Sequence, residues 1–282
     1  MKTLKCITFI VMAAFVISQL QSCEPAVERI ELGYVLWDSE IASTHVVAAV
    51  IEDELGHMVN LRAVDAGPMW MGVARGDFDA IVAAWLPSTH EAYLEQTRGQ
   101  VENLGPNLKG ARIGWVVPEY VPVNSIEELN EYRNEFNGQI IGIDPGAGLM
   151  AASDEALDDY DLDYNLVEGS DAAMTAALRR AIEREEWIVV TGWTPHWKFV
   201  AYDLKYLEDP RNSFGDEEHI ATIVNPGLQE KAPDVYEFLD NFYWTTDDMG
   251  EVMMMIEEDM EPFEAARQWI SENRDMVEGW LP

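Results

Sequence analysis

The sequence predicts an α/β protein of two lobes, each built on a mostly parallel sheet flanked by helices. Short apolar runs alternate with amphipathic stretches, they do so in two successive β-α series, and 282 residues with 48 % hydrophobic content suffice for two cores. Arg29 to Val35 alternates and then runs apolar into Trp37, a first strand entering a loop, and Thr44 to Leu55 has helical spacing that stops at Gly56. Val59 to Ala63 is a second strand. Met69 to Arg75 is a short helix stopped by Gly76, and Ala80 to Trp85 is a continuous apolar strand ending at Leu86-Pro87. A helix near Glu91 to Thr97 precedes the strand Arg112 to Val117, which leads to Ser125, an N-cap for Ile126 to Tyr132. The second series then reads as strand Ile140 to Ile143, helix Gly148 to Leu157, strand Tyr164 to Val167, helix Ser170 to Arg184 and strand Trp187 to Val190. A last strand, His219 to Val224, is followed by helices at Ala232 to Phe242, Met249 to Glu258 and Pro262 to Asn273. The expected boundaries are 29–117 for the first lobe, 118–215 for the second, and 216–282 for a return to the first lobe with C-terminal helices.

Lys2 and Lys5 precede an apolar run from Cys6 to Ile17 and then Leu20-Gln21-Ser22-Cys23, the layout of a secretory signal. Leu20, Ser22 and Cys23 resemble the lipobox of bacterial lipoproteins, a resemblance that implies a leader of lipoprotein type at 1–22, a short tether at 23–28, and Cys23 as an acylated anchor in an exported protein of the periplasm or the outer face of the cell membrane. Loss of Cys6 with the leader leaves one cysteine and no intramolecular disulfide. The chain carries 52 acidic against 18 basic residues, so nucleic acid is disfavoured as a partner, because phosphate binding needs a basic surface. Such an excess fits a salty habitat, where screening removes self-repulsion.

Of ten tryptophans, three fall where predicted strands end in loops: Trp37, Trp85 and Trp193. Loop mouths at strand ends are where open α/β sheets bind ligands. A quaternary ammonium has no N–H, so recognition must come from dispersion and from the negative faces of aromatic rings. Trp70, Trp187, Trp244, Trp269 and Trp280 fall on helical or apolar patterns and are expected in the core. The segment from Gly142 to Met150, Gly-Ile-Asp-Pro-Gly-Ala-Gly-Leu-Met, places a glycine-rich turn at the start of a helix, where free N–H groups hold a carboxylate without a cation. The same residues fit the dinucleotide pattern G-x-G-x-x-A, but Asp144-Pro145 intervenes between strand and turn. Histidines 45, 57, 90, 196 and 219 show no metal-ligand spacing, and no nucleophile motif is visible, so neither a metal, a cofactor nor an enzymatic reaction is expected. His90 stands out because it follows Trp85 in the same loop.

The segments Gly33-Tyr-Val-Leu-Trp-Asp38, Ala84-Trp-Leu-Pro-Ser-Thr-His90, Gly142 to Met150 and Val190-Thr-Gly-Trp-Thr-Pro-His-Trp197, followed by Tyr202-Asp-Leu-Lys-Tyr-Leu-Glu-Asp-Pro210, resemble the glycine betaine/proline betaine binding proteins of bacterial ABC importers. The resemblance runs over nearly the whole chain after the leader. It implies the two-lobed periplasmic-binding-protein fold of type II, closing on its ligand. It also implies a methylammonium head among Trp37, Trp85 and Trp193, and a carboxylate held by the amides of Gly148 and Leu149 and by His90. His90 is expected to donate to that carboxylate, and to do so better when protonated. The implied role is the osmoprotective uptake of glycine betaine or proline betaine, with the importer's membrane and ATPase subunits as partners and the receptor itself a monomer. A choline or carnitine receptor is the neighbouring reading; choline lacks the carboxylate and would need an acidic side chain, for which Asp38 is the nearest candidate. A secreted enzyme acting on small amines is a further alternative, without a visible acid/base pair.

Overall fold

In the computed structural model, residues 27–282 are described; the leader, Cys23 and most of the tether lie outside the described residues. The first β-α series is as regular as its sequence. Strands β1 (Arg29–Tyr34), β2 (Met58–Ala63) and β3 (Ala80–Leu86) form a parallel set in the order β2-β1-β3, joined by helices α1 (Asp38–Asp53) and α2 (Ala66–Arg75). Every residue of β3 is buried, which accounts for its unbroken apolar run. After α3 (Glu91–Gln96) the chain enters β4 (Glu102–Pro118), a 17-residue strand that belongs to both halves of the molecule. From Glu102 to Ala111 it pairs antiparallel with β9 (Glu218–Val224); from Arg112 to Val116 it pairs antiparallel with β7 (Val190–Thr194). The sheet change therefore falls between Ala111 and Arg112, six residues before the change expected after residue 117.

The second half contains β5 (Gln139–Ile141), α4 (Gly148–Asp159), β6 (Asn165–Val167), α5 (Asp171–Glu183), β7, α6 (Lys198–Ala201) and β8 (Leu204–Tyr206). Parallel pairing joins β6 to β5 and β5 to β7, while β8 runs antiparallel on β4. The full order is β2-β1-β3-β9-β4-β7-β5-β6, so each half is a mixed sheet rather than a mostly parallel one, because the crossing strands β4 and β9 run against their neighbours. The C-terminal return supplies α7 (Leu228–Lys231), α8 (Pro233–Asn241), α9 (Thr246–Glu257), α10 (Pro262–Glu272) and α11 (Arg274–Glu278). Helices α9 and α10 pack on α1, which is why α1 is buried on nearly every face. Trp244, Trp269 and Trp280 pack ring on ring beneath them, at 5.6 Å and 6.1 Å between successive centroids, as core.

Several elements depart from their expected limits. Helix α1 begins at Asp38, not Thr44, with the carbonyl of Trp37 accepting from the N–H groups of Glu40 and Ile41. Its first turns bury Ser39, Glu40, Ser43 and Thr44, so the apolar period that signals a helix is absent there. The first ten residues of β4 carry Gly105 and Gly110 at positive φ, where the pairing shifts register, and so lack strand alternation. Trp187 packs against Tyr132 and Phe136 before β7 begins at Val190. Ile126 to Tyr132 forms a 3-10 helix, with Ser125 Oγ accepting from Glu127 N–H at 3.3 Å.

Candidate ligand site

Where the two halves meet, Trp37 precedes α1, Trp85 ends β3 and Trp193 lies on β7, and the three rings wall one apolar cavity with Gly148 and Leu149. The space between the rings is about 20 Å³, room for about one water-sized sphere, and the Trp37 and Trp193 centroids stand 6.3 Å apart. A trimethylammonium group needs carbon contacts of about 3.5–4 Å on each ring face, so its entry requires the rings to spread.

Each indole is fixed through its N–H. Trp37 Nε1 donates to Asp144 Oδ2 at 3.1 Å, Trp85 Nε1 to Glu40 Oε1 at 2.8 Å, and Trp193 Nε1 to Ser39 Oγ at 3.1 Å. The first and last of these bonds cross between the halves. They set the rings' orientation while leaving their faces to the cavity. Helix α4 starts at Gly148 with no side-chain cap; Met150 N–H turns back to the Ala147 carbonyl, and the N–H groups of Gly148 and Leu149 are open to an anion. Gly148 lies so close to Thr89 that an added Cβ would stand 2.0 Å from the Thr89 carbonyl oxygen. Glu218, at the start of β9, anchors the loop opposite by accepting from the N–H groups of Ser88 and Thr89 and from the Thr89 hydroxyl.

Five of the six residues expected at the site thus surround the cavity; His90 lies beside it, fully buried, 6.2 Å from the Trp37 ring between centroids. Its Nδ1 accepts from the Trp85 N–H at 3.1 Å and from Trp70 Nε1 at 3.4 Å, which places its single proton on Nε2. That Nε2 has no partner among the described residues. Burial lowers the His90 pKa to about 3. With Nδ1 occupied by two N–H groups and burial disfavouring charge, the imidazole without ligand is neutral and carries its proton on Nε2, whereas the sequence predicts a donor that acts better when protonated.

A polar cluster beside the cage was not legible in the sequence. The Asp38 N–H donates to Asp171 Oδ2 at 3.0 Å, Trp197 Nε1 donates to Asp38 Oδ2, and His196 Nε2 lies 3.2 Å from Asp171 Oδ1. The fully buried Lys198 ammonium stands 4.0 Å over the Trp193 ring. Burial and then the Asp171 charge raise Asp38 to about 6, and burial lowers Lys198 to about 7 against the pull of Asp171 and Asp38. Asp38, Asp171 and His196 have a ligand set's spacing, yet each is already engaged in this network, whose positive charge is Lys198.

Residues 28–272 match the family described as the substrate-binding domain of ABC-type glycine betaine transport systems. The glycine betaine/carnitine transport binding protein of Listeria monocytogenes is 47 % identical over 162 residues, 56 % of this chain; the match spans about half, 53 %, of that relative's length. The crystal structure of lactococcal OpuAC, closed and complexed with glycine betaine, superposes with a TM-score of 0.86 at 46 % identity, over 90 % of this chain and 100 % of that one. The glycine betaine/L-proline binding protein of Borrelia burgdorferi gives a TM-score of 0.86 at 36 % identity, over 90 % of this chain and 97 % of its own. A choline-binding protein in complex with choline, 24 % identical, shares the fold with a TM-score of 0.83.

Proposed function

The chain belongs to the substrate-binding domains of ABC-type glycine betaine transport systems, and from that premise we propose that it is the extracytoplasmic receptor that captures glycine betaine for uptake. It is a binding protein, not an enzyme, and its fold is the two-lobed periplasmic-binding-protein type. The observation that carries the ligand is the convergence of Trp37, Trp85, Trp193 and the uncapped start of α4 on one cavity. The rings take the trimethylammonium head; the Gly148 and Leu149 amides and His90 Nε2–H take the carboxylate. In this reading the receptor is a monomer tethered through Cys23, delivering betaine to the importer's membrane and ATPase subunits. No helix among the described residues is long and apolar enough to cross a membrane.

Choline is disfavoured, because the acidic side chain it would need does not line the cavity: Asp38 turns its carboxylate to Trp197 and His196 instead. Carnitine and proline betaine keep both a quaternary ammonium and a carboxylate and remain within the reading. Calorimetric titration with glycine betaine, proline betaine, carnitine and choline tests it. Tight binding of the carboxylated ligands and weak binding of choline is the expected result; choline binding as tightly as betaine contradicts it.

A further inference from the structure

Glu40 is fully buried in the first turn of α1, and among the described residues no cation pairs with it. Its Oε1 accepts from Trp85 Nε1–H at 2.8 Å, and the Ser43 hydroxyl faces its Oε2 at 3.4 Å. Ser39 Oγ lies 3.5 Å from Oε1 and itself accepts from Trp193 Nε1–H at 3.1 Å. One buried carboxyl thus ends a chain of hydrogen bonds that joins two cage rings, one from each half of the molecule. Burying a carboxyl without a counter-ion is costly, and a neutral amide would satisfy the indole equally well. Among the described residues, no acidic side chain lines the cavity wall itself.

We propose that Glu40 is a charge-supplying positioning residue of the site: ionised, it strengthens the hold of Trp85 and Trp193 on a cationic ligand, so that affinity follows its ionisation. The inference rests on the reading that a quaternary ammonium enters the tryptophan cavity. An anion accepting from an indole N–H makes the ring more electron-rich, and its own field acts through a low-dielectric interior. By reciprocity the bound cation favours the ionised carboxylate, so binding releases a proton wherever Glu40 is protonated beforehand. Burial raises Glu40 to about 7, which puts that exchange near neutrality. Trp85 faces it from β3, and Ser39 and Ser43 from its own helix. The nearby titratable groups are His45 on α1, whose Nδ1 lies 2.7 Å from the Ile41 carbonyl; His90 after β3; and the Asp38, Asp171, His196 and Lys198 cluster.

Glycine betaine titrated calorimetrically at pH 5.5, 7 and 8.5 into the parent, Glu40→Gln, Glu40→Asp and Lys198→Met tests this. The parent is expected to bind about tenfold tighter at pH 8.5 than at 5.5, the scale of one desolvated cation–π contact. Glu40→Gln keeps an acceptor for Trp85 and loses the charge, so it should bind about tenfold more weakly than the parent at pH 8.5 and equally across the range. Glu40→Asp and Lys198→Met should retain the rise. Titrating the parent at pH 7 in buffers of different ionisation enthalpy needs no variant and should show proton release. Glu40→Gln that keeps the parent's affinity and pH slope, or a parent that binds without releasing protons, overturns the role of Glu40 alone. A parent that binds no betaine at any pH overturns the ligand reading and this inference together.

Discussion

A trimethylammonium head has no N–H to donate, so ring faces hold it directly, and each desolvated ring contributes about 0.5 to 2 kcal/mol. Trp37→Ala, Trp85→Ala and Trp193→Ala are each expected to weaken glycine betaine binding more than tenfold in calorimetry, with Phe replacements costing less. If two of the three alanine variants bind as tightly as the parent, the cage lies elsewhere. His90 has a sharper expectation, because its tautomer is fixed by the Trp85 N–H and Trp70 Nε1 on Nδ1. His90→Ala should lose about 1–3 kcal/mol, the cost of leaving a buried anion without a donor. That loss should be the same at pH 5.5, 7 and 8.5, since a group with a pKa of about 3 does not titrate in this range. A loss that grows as pH falls would return the protonated imidazole. The three tryptophans were legible because aromatic residues at strand ends have a chemical reason to be there. Ser39, Glu40 and Asp171 were not, since a buried polar side chain at a helix start looks in sequence like a solvated one.

At the scale of elements, helix α4 brings its N-terminus against the Pro87 to His90 loop, and the approach is possible only because Gly148 has no Cβ. Gly148→Ala is expected to keep α4, where alanine is the better helix former, and to hold the two halves apart at Thr89. Glycine betaine should reduce the parent's radius of gyration in small-angle scattering and leave that of Gly148→Ala unchanged, with at least tenfold weaker binding in the variant. Compaction equal to the parent's would show that Thr89 gives way. The turn preceding α4 was legible from its glycines, whereas the first ten residues of β4 were not: Gly105, Gly110 and Pro106 sit at register shifts that erase the period of two. The mixed character of the sheets was hidden for a related reason, since the direction of β9 and β4 is decided by pairing across the molecule rather than by local pattern.

In the whole molecule, the two halves are joined by bonds that they make directly with each other. Trp37 reaches Asp144, Trp193 reaches Ser39, the Asp38 N–H reaches Asp171, and Tyr93 Oη donates to the Gly146 carbonyl at 2.7 Å. The same indoles that wall the cavity therefore also latch the halves, and a ligand bridging them is expected to favour the closed arrangement. The charge of −34 lies mostly on exposed carboxylates, and at this interface the buried Lys198 ammonium attracts Asp171 and Asp38. The central claim is that one betaine bridges the halves with its cation among three rings and its carboxylate at the start of α4. A crystal structure of the complex with glycine betaine measures this directly. The expected result is the quaternary nitrogen within about 6 Å of the Trp37, Trp85 and Trp193 ring centres, with a carboxylate oxygen at hydrogen-bond distance from the Gly148 or Leu149 amide. Betaine bound outside this cavity, or in it with the carboxylate turned away from α4, would contradict the account.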